Sequence, residues 1–440
     1  MNSDLLIKGG VLVTMGPRGV IEGDILIKEG RIVKVGRVES PSQVRVLEVK
    51  DRVVIPGLVQ THIHLCQTIF RGMADDLILS EWLQKRIWPL EAAHWANSVY
   101  ISALLGLSEL IRGGTTTVLT METVKHTLMV FKAARDSGIR AIIGKAMMDE
   151  REGLPPGLRE TTEESLEESL RLWEDWQGRE EGRLGACFAP RFAPSCSEDL
   201  LKIVGTESRK RGILIHSHAA ETKEEVEIVR KDKGMGEIEY LERLGLTGER
   251  LLLAHCVWLG EEEMDILART KTKVLHCPSS NLKLGSGIAN VYQLRQKGVS
   301  VSIGADGAAC NNNLDAFWEL RLASLLQKVK NGPQALGTQE AFRMATLGGA
   351  EALGMEREIG SIEEGKRADL VILDLSRAHF LSPDDIYSTL VYSAQASDVE
   401  MVLVGGRVIF QGGKVLTIEE DDVFREARAI APLLQKGAGI

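Results

Sequence analysis

The sequence predicts a (β/α)₈ TIM barrel between about residues 58 and 355. Two observations support this fold class. Apolar runs of strand type alternate with helical patterns in this part of the chain, which is typical of βα units around a parallel sheet. Several of the apolar runs also end in a histidine or an aspartate. Because the strands of a barrel all end at the same face, these polar side chains are expected to lie together there.

Both ends of the chain contain short strands instead of βα units. Before the barrel, residues 1–57 alternate strand-forming runs with glycine turns, such as the one at Gly9 and Gly10. After the barrel, residues 356–440 show the same pattern and then a C-terminal helix. The sequence therefore predicts three parts, with strand-rich regions on either side of the barrel.

The first barrel strand ends in a pair of histidines. Residues 53–59 form an apolar run rich in β-branched side chains, and His62 and His64 follow at its end. Side chains alternate along a strand, so the two imidazoles point to the same side. Two imidazoles placed in this way can hold one metal ion.

Later strand ends carry side chains of the same kind, namely His216, His218, Glu221, His255, His276 and Asp306. Among them, His218 and Asp306 complete a nitrogen and oxygen ligand set with His62 and His64. Such a set suits one divalent ion, with zinc ranked ahead of ferrous iron. A metal held by three or four protein ligands can also bind a water molecule and lower its pKa.

Three of these residues are candidates for the catalytic chemistry. Glu221 follows His218 by three residues, and its carboxylate can accept a proton from water and deliver it to a substrate. His255 can hydrogen-bond the attacking water, and Asp306 can accept the proton of that water. The roles of His216 and His276 stay open, because each can be a packed core residue or a neighbour of the site.

Composition excludes several classes of protein. The formal net charge is −9, whereas a nucleic-acid partner favours a basic face. No apolar run reaches the length of about 18 residues that indicates a membrane span, and residues 1–4 lack a signal-peptide pattern. The six cysteines are scattered, which indicates free thiols and a cytoplasmic protein.

At this point the sequence resembles the amidohydrolase superfamily, in its branch of cytosine, guanine and adenosine deaminases. The motifs that carry the resemblance follow the family's order: 56-PGLVQTHIH-64, His218 with Glu221, 254-AHC-256, 276-HCPSSNL-282 and 304-GAD-306. The resemblance implies that both ends of the chain join in one β-sandwich beside the barrel. It also implies a zinc-dependent deaminase that hydrolyses a ring C–NH₂ group to the oxo form with release of ammonia.

The resemblance also suggests substrate-binding residues. Gln67 and Arg191 occupy positions that bind the polar edge of the purine in guanine deaminases, and Trp88 and His126 could line the pocket. Guanine-like purines therefore rank first. Other loops, after His276 and Asp306, resemble deaminases of S-adenosylhomocysteine and 5'-methylthioadenosine, so adenosine-type nucleosides are the second candidate. Amino- or chloro-triazines are the third.

A non-catalytic binding protein with this fold is the alternative from a different class. It is disfavoured because relatives of that kind have lost metal ligands, and none of the expected ligands is lost here. We expect a small-molecule substrate, neither nucleic acid nor membrane as a partner, and a homo-oligomer that is a dimer or a tetramer.

Overall fold

A computed structural model gives the fold of residues 4–39, 44–150, 153–374, 376–380 and 385–440. Among these residues, no helix is both long enough and apolar enough to cross a membrane. The expectation about the first four residues falls largely on residues 1–3, which lie outside the described ranges. All six cysteines are free, as their scattered positions predicted. The homo-oligomer stays a prediction.

The chain begins with five strands, and four more follow the barrel. The first five are β1 (Leu5–Val13), β2 (Val20–Lys28), β3 (Arg31–Gly36), β4 (Arg45–Glu48) and β5 (Arg52–Pro56). The barrel strands are β6 (Leu58–His64), β7 (Thr115–Met121), β8 (Arg140–Met147), β9 (Leu184–Pro190), β10 (Ile215–Ala219), β11 (Leu251–His255), β12 (Lys273–His276), β13 (Val301–Ile303) and β14 (Asp306–Gly307). The last four are β15 (Leu370–Asp374), β16 (Val399–Val404), β17 (Arg407–Gln411) and β18 (Lys414–Val415).

Strands from the two ends of the chain form a single hydrogen-bonded sheet. Its order is β18-β17-β16-β15-β5-β1-β2-β3, with β4 also paired to β1. The two ends meet where β5 runs antiparallel to β15. The sheet surrounds its own apolar core, to which both ends contribute residues such as Ile7, Val54 and Leu370. This confirms the expected joining of the two ends, whereas the boundaries at residues 57 and 355 stay predictions.

The barrel closes through its last strand. The barrel sheet has the order β13-β12-β11-β10-β9-β8-β7-β6-β14. β13 pairs with β12, and β14, three residues further on, pairs with β6. β13 and β14 are therefore successive parts of one eighth strand, which bonds to the seventh strand first and to the first strand afterwards. This confirms the predicted eight-stranded parallel barrel.

Helices connect the barrel strands and pack around them. The α-helices of six residues or more in the described part of the chain, including those after the barrel, are Ala96–Arg112, Leu128–Ser137, Thr162–Trp176, Glu198–Arg211, Lys223–Lys233, Glu237–Arg243, Glu261–Thr270, Pro278–Lys283, Val291–Gln296, Ala316–Asn331, Thr338–Met344, Leu347–Ala352, Ile386–Tyr392 and Glu420–Ala438. The loop after β6 contains the shorter helices Leu79–Trp82 and Trp88–Ala92. These two helices cover the end of the barrel at which the strands terminate.

Two contacts connect the barrel with the terminal sheet. Gly57 connects β5 to β6. A Cβ atom at this position would lie 2.0 Å from Oγ1 of Thr116, so only glycine fits between the two strands. Arg140 of β8 donates from Nε and Nη2 to the carboxylate of Asp369, at 2.8 Å and 3.1 Å. Both side chains are buried, and such a bidentate pair also fixes the orientation of the two groups.

Candidate active site

Three histidines converge where β6 and β10 end. His62 and His64 lie on the same side of β6 because their side chains are two residues apart. His218 comes from β10, and its Nε2 atom lies 3.3 Å from Nε2 of His64. One ring nitrogen from each of the three lies within 4.8 Å of the others. Burial lowers the pKa of His62 to about 4, which favours neutral imidazole.

Asp306 places a carboxylate beside these rings. Its Oδ1 atom lies 3.3 Å from Nε2 of His62 and 3.2 Å from Nε2 of His64. Burial tends to raise the pKa of Asp306, but His62 and His64 outweigh it and hold the pKa well below its usual range. The backbone of Asp306 is left-handed, with φ of +63°, and so is that of His255, with φ of +71°. Such angles are uncommon outside glycine and mark a local constraint at these two strand ends.

The hydrogen bonds of the outer ring nitrogens test whether this cluster fits a metal ion. Nδ1 of His64 bonds to the carbonyl of Met121 at 2.5 Å, and Nδ1 of His218 bonds to the carbonyl of Arg191 at 2.6 Å. A carbonyl only accepts, so both Nδ1 atoms carry the proton and both Nε2 atoms present lone pairs inward. Two inward lone pairs 3.3 Å apart beside a carboxylate form a site that attracts a cation. The donor set fits a divalent ion such as zinc.

His62 joins the cluster in a different way. Its Nδ1 atom lies 2.7 Å from Nε2 of His216, and its buried Nε2 atom makes no hydrogen bond within the described structure. His216 therefore contacts the site through His62. His276 is also buried, but neither of its ring nitrogens has a hydrogen-bond partner among the described residues. Burial lowers the pKa of His276 to about 3, so its ring is neutral.

Glu221 and His255 lie on the open side of this cluster. Oε2 of Glu221 lies 3.6 Å from Nε2 of His255, which in turn lies 3.7 Å from Oδ2 of Asp306. Ser286 donates to Oε1 of Glu221 at 3.1 Å. Nδ1 of His255 lies 2.8 Å from the amide oxygen of Asn281, an acceptor, so the proton of the neutral ring is on Nδ1. Burial raises the pKa of Glu221, which favours a carboxyl group able to hold a proton.

A cavity of about 430 Å³ opens above these residues. Its polar wall includes His64, His218, Glu221, His255 and Asp306. The remaining wall is mainly apolar and aromatic, with contributions from Leu79, Trp82, Leu83, Phe192 and Leu284. Most predicted site residues therefore face one space, which can hold a flat ring against apolar side chains with its reactive edge on the polar side.

Gln67 and Arg191 also line this cavity, but their donors are used within the protein. Arg191 donates to both carboxylate oxygens of Glu91, at 2.7 Å and 3.2 Å. Nε2 of Gln67 donates to Oε1 of Glu91 at 2.9 Å. Sequence reasoning missed Glu91, and a signal that could have found it is an acidic residue inside the otherwise apolar helix Trp88–Ala92.

The structure places the other two predicted substrate-binding residues elsewhere. His126 is exposed and is not among the residues that line the cavity. Trp88 is buried and lines a second, more open cavity of about 1320 Å³. Four residues line both cavities, namely Leu79, Leu83, Phe192 and Glu225. The second cavity therefore adjoins the first.

With this geometry established, the chain can be compared with known proteins. A model of the amidohydrolase family matches residues 53–409, which include the whole barrel and, of the terminal sheet, β15, β16 and parts of β5 and β17. The chain belongs to the amidohydrolase family. The resemblance stated from the motifs is thus confirmed, and with it the prediction that the protein is a metal-dependent hydrolase.

Individual relatives of this amidohydrolase match over nearly the full length. The 5'-deoxyadenosine deaminase of Methanothermobacter thermautotrophicus is 41% identical over 98% of this chain and 98% of its own. The 5-methylthioadenosine/S-adenosylhomocysteine deaminase of Pelotomaculum thermopropionicum is 38% identical over 97% of this chain and 98% of its own. A crystal structure of an adenosine deaminase from Xanthomonas campestris with bound zinc superposes with a TM-score of 0.92, at 33% identity, over 99% of both chains.

Proposed function

We propose that the protein is a hydrolytic deaminase of adenosine-like nucleosides, and that 5'-deoxyadenosine and 5'-thioether nucleosides are among its substrates. The observation that carries this proposal is the pair of adjoining cavities. The first takes a flat ring beside Glu221 and His255, and the second leaves room for a sugar and a 5'-substituent. The names of the full-length relatives support the same class of substrate.

The residues that would hold the metal are His62, His64, His218 and Asp306, and zinc suits this donor set. When bound, a divalent ion lowers the pKa of water so that water becomes a nucleophile near neutral pH. The chain itself orients the ligands, because backbone carbonyls fix the ring nitrogens of His64 and His218.

Glu221 would move the proton that makes the ring carbon electrophilic. Ser286 holds Oε1 of Glu221, so Oε2 can accept a proton from water and deliver it to N1 of the purine. Protonation of N1 withdraws electrons from C6, and the water oxygen then forms its bond to C6. The proton of the new C6 hydroxyl then passes to the amine, the C6–N bond breaks, and ammonia leaves as the C6–O bond becomes the oxo group. One water is consumed, and the product is the 6-oxo purine nucleoside.

His255 would stabilise the charge that develops on the oxygen at C6, and Asp306 would accept a proton from the attacking water. The Nε2 atom of His255 lies between the two carboxylates, and its Nδ1 atom is held by Asn281. Burial lowers the pKa of His255, but Glu221 and Asp306 outweigh it and raise the pKa overall. The ring can therefore take up a proton as C6 becomes tetrahedral and can hydrogen-bond the new oxygen.

The ranking of guanine-like purines ahead of adenosine-type nucleosides is not supported. That ranking rested on donors and an acceptor that Gln67 and Arg191 would present to a purine edge, whereas Nε2 of Gln67 and both Nη atoms of Arg191 donate to Glu91. The amide oxygen of Gln67 has no hydrogen-bond partner among the described residues. A guanine edge would therefore compete with Glu91 for the donors. Adenosine-type nucleosides do not need these donors, because their reactive C6–N1 edge needs only the groups around Glu221.

A substrate panel tests the proposal. Purified protein with one equivalent of zinc is assayed for ammonia with 5'-deoxyadenosine, 5'-methylthioadenosine, adenosine, guanine and melamine. We expect the adenosine-type nucleosides to have the highest kcat/KM. Turnover of guanine or melamine well ahead of all three nucleosides would contradict the proposal.

A further inference from the structure

The second cavity has a charged wall. The carboxylates that line it belong to Glu150, Glu224, Glu225 and Asp232. Lys233 is the single basic side chain among the described residues of this wall. The described part of the wall is therefore acidic on balance.

Two of these carboxylates occupy one face of the helix Lys223–Lys233. Glu224, Ile228 and Asp232 are spaced by four residues, so they lie above one another on the helix, and all three line the cavity. Ser80, in the helix Leu79–Trp82 on the opposite wall, donates to Oε2 of Glu224 at 3.0 Å. This hydrogen bond joins the two walls of the cavity.

The lysine of this wall is engaged elsewhere. Nζ of Lys233 lies 5.4 Å from the ring centre of Tyr240, a cation–π contact that directs the ammonium group to the ring face. Its charge is thus partly satisfied within the protein. An anionic ligand in the cavity would meet the carboxylates without a matching cation among the described residues.

The two cavities share part of their walls. Leu79, Leu83, Phe192 and Glu225 line both, so a ligand whose ring lies beside Glu221 can extend into the second cavity. Trp88 adds a buried aromatic side chain to the wall of the second cavity.

We propose that the second cavity selects nucleosides by the charge of the 5'-substituent, and that it accepts neutral or cationic groups and disfavours groups ending in a carboxylate. This inference rests on the proposed deaminase function and concerns the same site. The physical reason is Coulombic: one like charge about 4 Å away in water changes binding about fivefold, and several carboxylates face the same space. Glu224 and Asp232 are the residues assigned to this selection.

Three synthetic substrates of equal length test the inference. They are 5'-propylthio-5'-deoxyadenosines whose propyl chain ends in an ammonium, a hydroxyl or a carboxylate group, and each is assayed for ammonia release at low salt. We expect kcat/KM for the ammonium substrate to exceed that for the carboxylate substrate by about tenfold or more. The ratio should shrink as salt is added, because exposed charges are screened.

Amino-acid substitutions test whether Glu224 and Asp232 cause the charge selection. In the double variant Glu224→Gln/Asp232→Asn, the ratio of ammonium to carboxylate turnover should fall by about threefold to tenfold. Glu227→Gln is the matched control, since Glu227 is exposed on the same helix but does not line the cavity, and it should leave the ratio unchanged.

The outcomes separate the two proposals. If the protein releases ammonia from 5'-deoxyadenosine but treats the ammonium and carboxylate substrates alike, the charge selection is wrong and the deaminase proposal stands. An unchanged ratio in the double variant also contradicts the selection. If none of the adenosine derivatives releases ammonia, the proposed function fails and this inference fails with it.

Discussion

Arg191 donates to both carboxylate oxygens of Glu91, at 2.7 Å and 3.2 Å, and each side chain is at most 5% exposed. The pair joins the end of β9 to the helix Trp88–Ala92 in the loop that covers the barrel. It therefore fixes one wall of the candidate active site, next to the cavity that holds the proposed substrate ring.

Removing one partner of this pair should be costly. In Glu91→Gln, the charge of Arg191 stays buried without a counter-charge, and we expect the free energy of unfolding to fall by about 3–5 kcal/mol. Denaturant unfolding measures this change. Glu242→Gln is the control, because Glu242 pairs with an Arg269 side chain that is 64% exposed, and its loss should cost at most about 1 kcal/mol. Equal effects in the two variants would contradict the structural importance of the buried pair.

Metal content should depend on the strand-end histidines. His218→Ala removes an inward Nε2 atom from the cluster, so we expect the purified variant to lose most of its bound divalent metal and its activity together. Metal analysis by mass spectrometry checks the first expectation. His379→Ala is the control, since His379 lies far from the cluster and contacts Asp398. Full metal occupancy in His218→Ala would show that His218 is not a ligand.

The proton-transfer role of Glu221 predicts a separation of metal binding from turnover. Glu221→Gln should keep its metal and lose about 10²–10⁴-fold in kcat, the usual contribution of a positioned acid–base group. Ser286→Ala should give a smaller loss, because it removes only the hydrogen bond to Oε1. Metal content and kcat are measured on the same preparations. Near-normal turnover in Glu221→Gln would exclude the proton-shuttle role.

Glu319 should make stability depend on pH. Burial raises its pKa to about 7, although Ser279 and Asn311 donate to its carboxylate. The raised pKa means that its protonated form stabilises the fold below a pH of about 4.5, and that this stability is lost as the pH rises towards about 7. The free energy of unfolding of the wild type should therefore fall, relative to Glu319→Gln, by on the order of 2 kcal/mol between about pH 5 and pH 7.5.

The measurement is a denaturant titration of both proteins at each pH. Glu227→Gln serves as the control for the substitution itself, because the side chain of Glu227 is exposed. If the difference between the wild type and Glu319→Gln is the same at both pH values, Glu319 does not titrate in this range.

The part of the site that lies on strands could be predicted from the sequence. His62, His64 and His218 follow apolar runs, and strand geometry fixes both the side and the end at which they lie. Asp306 was found in the same way. A strict period of two residues leaves few alternatives, so the sequence pattern was enough.

The part of the site that lies on loops could not be predicted. Glu91 contacts a residue that is 100 positions away in the chain, and no periodic pattern connects the two. His126 follows a barrel strand but is exposed, which a sequence pattern does not reveal. The use of Gln67 and Arg191 as internal donors follows only from the position of Glu91. Loop conformation is decided by long-range packing, so the sequence could not predict these contacts.

The position of the eighth barrel strand in the chain has a consequence for folding during synthesis. Thr61 and Ser302 hydrogen-bond across 241 residues of chain where the first and last strands meet, and Asp306 follows immediately after this junction. In a growing chain, Asp306 is therefore added only at residue 306 of 440, after all three histidines of the cluster. A chain stalled before the last strand would lack both the strand that closes the barrel and one side chain of the proposed ligand set.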